Sequence, residues 1–242
     1  LEVAMYEEGT VDGETFSVLC NITSDGVPFT KSVKLTYVNE DQTETKDVNT
    51  GVLLLSGLKK GNVTIYAQVK GSEYNEYMIQ FKLEKASVGQ ILQLPINLSK
   101  AQAGTIAKVV TPDEDITIET PESSDVEMSL NIPAGSLDEI MLVSMEADTD
   151  VKNAVLSSEE NPITGTVEAA AAFVTGTFAP SMKFNNPITW SVENPYEGVA
   201  FNNLKLQYKG DDEKDWSDVD NTIIYGEEGF YTTELEHFSS YR

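Results

Sequence analysis

Apolar and polar residues alternate along most of this chain in short runs, and each run ends at Gly, Asn, Asp or Pro. A period of two puts every second side chain on one face of an extended strand, so these runs predict β-strands that are buried on one side. Val33, Leu35 and Tyr37 share a face of the run from Lys31 to Val38. Val63, Ile65, Ala67 and Val69 do the same after the Lys59–Asn62 turn, and Ile79, Phe81 and Leu83 form a third set. Ile91, Leu92, Leu94, Ile96 and Leu98 close the first half. Helical periodicity is scarce, and no Gly-rich turn joins a strand to a helix to cradle a nucleotide. Many short strands with regular turns predict an all-β fold of two β-sandwich domains in tandem.

The segment Asn97–Gly104 breaks the alternation with small and polar residues, and strand patterning resumes at Thr105. A domain boundary is expected there, with domains over residues 1–99 and 104–242. Both lengths are ordinary for a single domain.

Charge and the rare residues narrow the function. Forty acidic and 16 basic side chains give a net charge of -24. Such a surface repels phosphate backbones and anionic lipid, so nucleic acid is not expected as a partner. No stretch approaches the ~18 apolar residues of a membrane helix. The single cysteine, Cys20, allows neither an internal disulfide nor a cysteine-rich zinc site. It lies in an apolar β-like run and reads as a buried thiol packing as a small hydrophobe. His237 is the single histidine, so any Ser-His or Cys-His chemistry would have to use it. The chain starts at Leu1 rather than Met, compatible with a removed leader or lipid-anchor signal.

Four stretches of the second half resemble the ZU5 domain, a β-sandwich module. They are Val126–Leu137 (VEMSLNIPAGSL), Phe178–Trp190 (FAPSMKFNNPITW), Leu204–Tyr208 with Trp216 and Val219, and Gly229–Tyr241 ending in His-Phe-Ser. Asp148–Gly165 fits no part of that pattern. The local physics agrees with the resemblance. Pro133 and Gly135 suit a strand end, because Pro lacks a donor and Gly accepts positive φ. Asp211–Lys214 suits a polar hairpin turn. In the first half, Leu53–Ala67 (LLLSGLKKGNVTIYA) and Gly89–Leu98 (GQILQLPINL) are similar to carboxypeptidase-regulatory or transthyretin-like domains. These resemblances imply Ig-like or ZU5-like sandwiches without catalysis. They also imply an exported protein, surface-attached or secreted, of the kind found among Bacteroidetes-type lipoproteins, with a lipid anchor at a processed N-terminus.

Four features invite a chemical reading beside a plainer one. Asp211, Asp212, Asp215, Asp218 and Asp220 form the densest acidic cluster and are candidate calcium ligands. The EF-hand order with its central glycine is missing and Lys214 interrupts the run, so a solvated hairpin is the plainer reading and no cofactor is expected. His237, Phe238 and Ser239 match the point at which some ZU5-containing proteins cut their own backbone. There the serine would attack the preceding carbonyl with the histidine as base. The plainer reading is a last strand with Phe238 packed inward. The segment Pro162–Pro180 carries one charge, Glu168, and its alternating Val167, Ala169, Ala171 and Phe173 read as a membrane-inserting hairpin or as a buried strand pair. Among the aromatics Tyr74, Tyr77, Trp190, Tyr196, Trp216 and Tyr225, sheet packing is expected of Trp190, which alternates with Ile188 and Val192. Trp216 borders a hairpin and could face either way.

The residues predict a non-catalytic surface or secreted binding and adhesion module whose partner is a protein or a glycan. The alternatives are a pore-forming, membrane-active protein and a component of a carbohydrate-active system.

Overall fold

The computed structural model describes residues 15–84, 91–149, 174–180, 182–193, 206–210, 212–220, 222–225 and 229–242. Among these residues every regular element is a strand, and the all-β expectation holds. No helix among them is long and apolar enough to cross a membrane. The chain divides into two compact units, Leu1–Lys100 and Ala101–Arg242, and each is a β-sandwich.

Unit 1 contains β1 (Thr15–Ser24), β2 (Val27–Pro28), β3 (Val33–Asn39), β4 (Gln42–Val48), β5 (Val52–Lys59), β6 (Gly61–Gln68), β7 (Tyr77–Leu83) and β8 (Ile91–Asn97). One sheet has β1 at its centre, paired antiparallel with β5 and β2 and parallel with β8. The other runs β4-β3-β6-β7 and is antiparallel throughout. Their inward faces share one core, in which Val18, Cys20 and Ile22 of β1 meet Leu35 of β3 and Ile65 of β6. Each fully buried Leu or Ile contributes roughly 1.5–3 kcal/mol relative to exposure. The β1–β2 hairpin turns on Asp25 and Gly26, with φ of 52° and 76°. Asp-Gly suits a two-residue turn that needs positive φ at both positions.

Asn39 ends the inward row of β3 and is fully buried. Its side chain is satisfied: Nδ2 donates to the carbonyls of Lys59 (3.2 Å) and Asn62 (3.1 Å), and Oδ1 accepts from the Lys59 N–H at 2.6 Å. A polar group in the core thereby clamps the β5–β6 turn, and its burial is offset by three hydrogen bonds.

Pro95 lies inside β8, where a missing N–H would break a ladder. The Leu98 N–H donates to Thr23 O at 2.8 Å, so the even-numbered positions of β8 turn their main chain toward β1. Pro95 therefore faces the opposite edge of the strand. Among the described residues β8 pairs with β1 alone, so the proline withholds a donor from an open edge.

Unit 2 contains β9 (Thr105–Val110), β10 (Ile116–Glu119), β11 (Met128–Ile132), β12 (Met141–Thr149), β13 (Val174–Ala179), β14 (Lys183–Glu193), β15 (Leu206–Lys209), β16 (Ser217–Val219), β17 (Ile224–Tyr225), β18 (Phe230–His237) and β19 (Ser240–Tyr241). Its sheets run β10-β11-β14-β18-β17 and β16-β15-β19-β13-β12-β9. Ile188, Trp190 and Val192 of β14 are buried in the core between them, as their alternation predicts. The Trp190 ring meets Phe178 edge-on at 5.7 Å. Pro133 follows the end of β11, and Gly135 has φ of 79°. Gly104 enters β9 with φ of 77°, and a Cβ there would stand 2.6 Å from the Ala147 carbonyl, so only glycine fits.

Candidate functional site

β18 belongs to one sheet of unit 2 and β19 to the other, so His237-Phe238-Ser239 is the step by which the chain changes sheets. Phe238 is fully buried and packs edge-on against Phe184 at 4.5 Å and beside Phe178 at 6.0 Å. Its N–H donates to Met182 O at 2.8 Å, and the Phe178 N–H donates to Ser239 O at 2.9 Å. The buried Ser239 hydroxyl donates to Lys209 O at 3.0 Å. A carbonyl accepts a hydrogen bond but cannot take the proton away.

The His237 ring is held elsewhere. Tyr241 Oη lies 3.0 Å from Nδ1 and 3.3 Å from Nε2, and it donates to the His237 carbonyl at 3.1 Å. Tyr208 stands edge-on to the same ring at 4.8 Å. Burial first, then electrostatic repulsion from neighbouring Tyr208 and Glu236, holds the Tyr241 phenol well above its usual range, so it stays protonated and stays a donor. A phenol returning to a carbonyl four residues upstream resembles the tyrosine corner that fixes chain crossings in other sandwiches.

The hairpin between β15 and β16 carries the acidic cluster. Asp212, Asp215, Asp218 and Asp220 are all exposed, while Asp211 lies outside the described residues. The Glu213 N–H donates to Gly210 O at 3.0 Å, and the Gly210 N–H donates to Glu213 Oε2 at 3.2 Å, so the turn closes on itself. Among the described residues no three His, Cys, Asp or Glu side chains are grouped to hold a metal ion.

Trp216 is half-buried beside that turn. Arg242 Cζ lies 4.4 Å and Lys209 Nζ 4.9 Å from its ring centroid, both within cation–π range. Gln207 bridges its neighbours: Nε2 donates to Asp218 Oδ1 at 2.8 Å, and Oε1 accepts from Arg242 Nε at 2.8 Å. The result is a strip of guanidinium, amide and carboxylate across β19, β15 and β16, with Lys209 and Trp216 alongside. Lys209 and Arg242 belong to no motif in the sequence, and Gln207 lies in the Leu204–Tyr208 stretch without being singled out there. The signal available was their strand register, which required knowing that β19 and β16 flank β15.

The other aromatics distribute simply. Tyr74 is buried edge-on to Phe29 at 5.0 Å, with Lys31 Nζ 4.8 Å from its ring, and Tyr77 packs against the unit 1 core. Tyr196 and the Val167, Ala169, Ala171 and Phe173 segment lie outside the described residues.

No known protein family matches the chain. No curated protein matches it either. Among solved structures it matches the TIE protein of Bacillus anthracis at 10% identity and a TM-score of 0.31, over 95% of this chain and 45% of that one. It matches the major pilin subunit of Bacillus cereus at 9% identity and 0.29, over 94% and 58%. A DUF4876 family protein of Bacteroides thetaiotaomicron matches at 10% and 0.23, over 91% and 75%. The chain thus spans 45% and 58% of the length of the first two. Likenesses at these TM-scores assign neither a family nor a function.

Proposed function

We propose that this chain is a non-catalytic binding and adhesion module of an exported protein, displayed at the cell surface or secreted. The observation that carries the reading is the use made of His237 and Ser239. The one histidine of the chain is engaged by Tyr241, and the hydroxyl of the one serine placed for self-cleavage is held in a hydrogen bond to the Lys209 carbonyl. Both act as clasps on a chain crossing. Cleavage before Ser239 would also remove β19, which joins β15 to β13. Unit 2 is on this reading a ZU5-like domain and unit 1 a transthyretin-like one, with a protein or glycan partner, no cofactor, and a lipid anchor upstream.

Binding to immobilised glycans and surface proteins tests the proposal. A saturable ligand with micromolar or tighter affinity is expected, alongside inert behaviour toward chromogenic glycosides and peptides. Turnover of any such substrate would overturn the reading, as would dye release from liposomes at submicromolar protein.

A further inference from the structure

The β15–β16 hairpin of unit 2 has an inner and an outer row. Leu206 is buried in the core, and Tyr208 and Val219 pack against it. Gln207 and Asp218 pair across the hairpin one position out of step with that row, so both face outward. Alternation turns Lys209 and Trp216 the same way. Arg242 follows the buried Tyr241 and pairs its main chain with Gln207, so it joins the outward row from β19. Five side chains from neighbouring strands thus share one patch of the outer face.

Of the two tryptophans, Trp190 belongs to the core and Trp216 does not. Lys209 Nζ and Arg242 Cζ stand 4.9 and 4.4 Å from the Trp216 ring centroid, and both reach it from the β15 side. β16 is the edge strand of its sheet, so no strand among the described residues flanks the ring on its other side. Gln207 fixes the two ends of the patch, with one 2.8 Å bond to Asp218 and one from Arg242. A flat apolar ring is therefore held in place with cationic donors and a carboxylate acceptor at its rim. Groups already fixed in the free protein lose little freedom when a ligand arrives.

We propose that this patch binds a neutral sugar ring stacked on Trp216. The inference rests on the binding role proposed above and names its partner. A sugar ring presents C–H groups on its face, which pack on an indole, and hydroxyls at its edge, which both donate and accept. The patch matches both properties: Lys209 and Arg242 donate, and Asp218 accepts. An anionic ligand would want donors alone. It would meet Asp218 and, on the adjoining turn, the exposed Asp212, Glu213 and Asp215 of a chain with net charge -24. A protein partner needs ~800 Å² on each side. Three strands ~4.8 Å apart and two residue rows span only about 10 by 7 Å, the footprint of one or two sugar rings.

A glycan array tests it on the full chain, with neutral hexose and pentose oligosaccharides beside sialylated, sulfated and uronate-containing ones. Tryptophan fluorescence then follows titration with the neutral oligosaccharide that binds best. The expected result is saturable binding of neutral glycans with a change in Trp216 emission. The affinity should hold between about 0.05 M and about 1 M sodium chloride, because no ion pair forms with the ligand. Trp216→Ala should weaken binding by about tenfold or more, while Trp216→Tyr keeps a flat ring and should stay within about threefold. Asp218→Ala changes an exposed position, so the fold is not at stake, and it should weaken binding by about fivefold. Binding of no neutral glycan, or of acidic glycans alone, would overturn the inference. Neutral-glycan binding that survives both Trp216→Ala and Asp218→Ala would overturn it too, yet leave the binding role standing. So would capture of a surface protein with no glycan bound, in favour of a protein interface. If neither glycan nor surface protein is bound, the binding role falls with it.

Discussion

At the scale of single residues, burial decides what each rare side chain does. Cys20 sits on the inward face of β1, and burial pushes its thiol up from 9.0 to about 12. The folded thiol stays protonated at pH values where the unfolded one ionises. Its contribution to stability is therefore complete below pH 9 and is lost as pH rises toward 12. Between pH 9 and 10 the chain should lose about 1 kcal/mol that Cys20→Ala does not lose, read from denaturant midpoints of the two proteins. Asn39 gives a second test. Asn39→Ala leaves the Lys59 N–H and two carbonyls of the β5–β6 turn without partners and should cost about 2–3 kcal/mol. A change below about 0.5 kcal/mol in urea unfolding would show that the clamp is dispensable. The burial of Cys20 and Trp190 was legible in the sequence, because each continues a period-two apolar row. The role of Asn39 was not, since its partners lie 20 and 23 positions away and no local pattern announces them.

At the scale of elements, alternation and turn residues marked the strands, while pairing partners stayed hidden. The runs at Val33–Asn39 and Gly61–Gln68 were readable, as was the polar turn ahead of Trp216. That β8 would pair parallel with β1, over 70 residues earlier, was not, because parallel neighbours are set by the tertiary fold rather than by a hairpin turn. Pro95 makes sense only after that pairing is known. Pro95→Val restores an N–H on the open edge of β8 and should leave the melting temperature nearly unchanged while speeding fibril or aggregate growth, followed by thioflavin fluorescence. Equal aggregation in both proteins would show that the edge is protected by other means. The His237–Tyr241 step was recognised as a motif, but its role as a sheet crossing came from register. Phe238→Ala should cost about 3–5 kcal/mol, since the ring is fully buried among Phe178 and Phe184. The wild-type chain and Ser239→Ala should both give their full-length mass, with no species lacking the last four residues, and the substitution should cost about 1 kcal/mol, the worth of one hydrogen bond.

At the scale of the whole molecule, the net charge of -24 governs solution behaviour. Screening should raise the melting temperature as salt is added, because self-repulsion destabilises the compact state. Millimolar calcium should act in the same way and no further. Asp215→Asn should leave the calcium response unaltered, since Asp215 is exposed on a turn where no metal-binding group of side chains forms among the described residues. A calcium-induced rise that Asp215→Asn abolishes would instead assign the hairpin to a bound ion.

The place of β19 in the sheet order has a consequence in time. This strand follows every other strand of unit 2 in the sequence, yet it lies between β15 and β13 in the middle of its sheet. A polypeptide made from its N-terminal end presents all the other strands before the one that joins them. Until it appears, that sheet can exist only as two separate fragments, β16-β15 and β13-β12-β9. Closure of that sheet waits until Tyr241 has emerged.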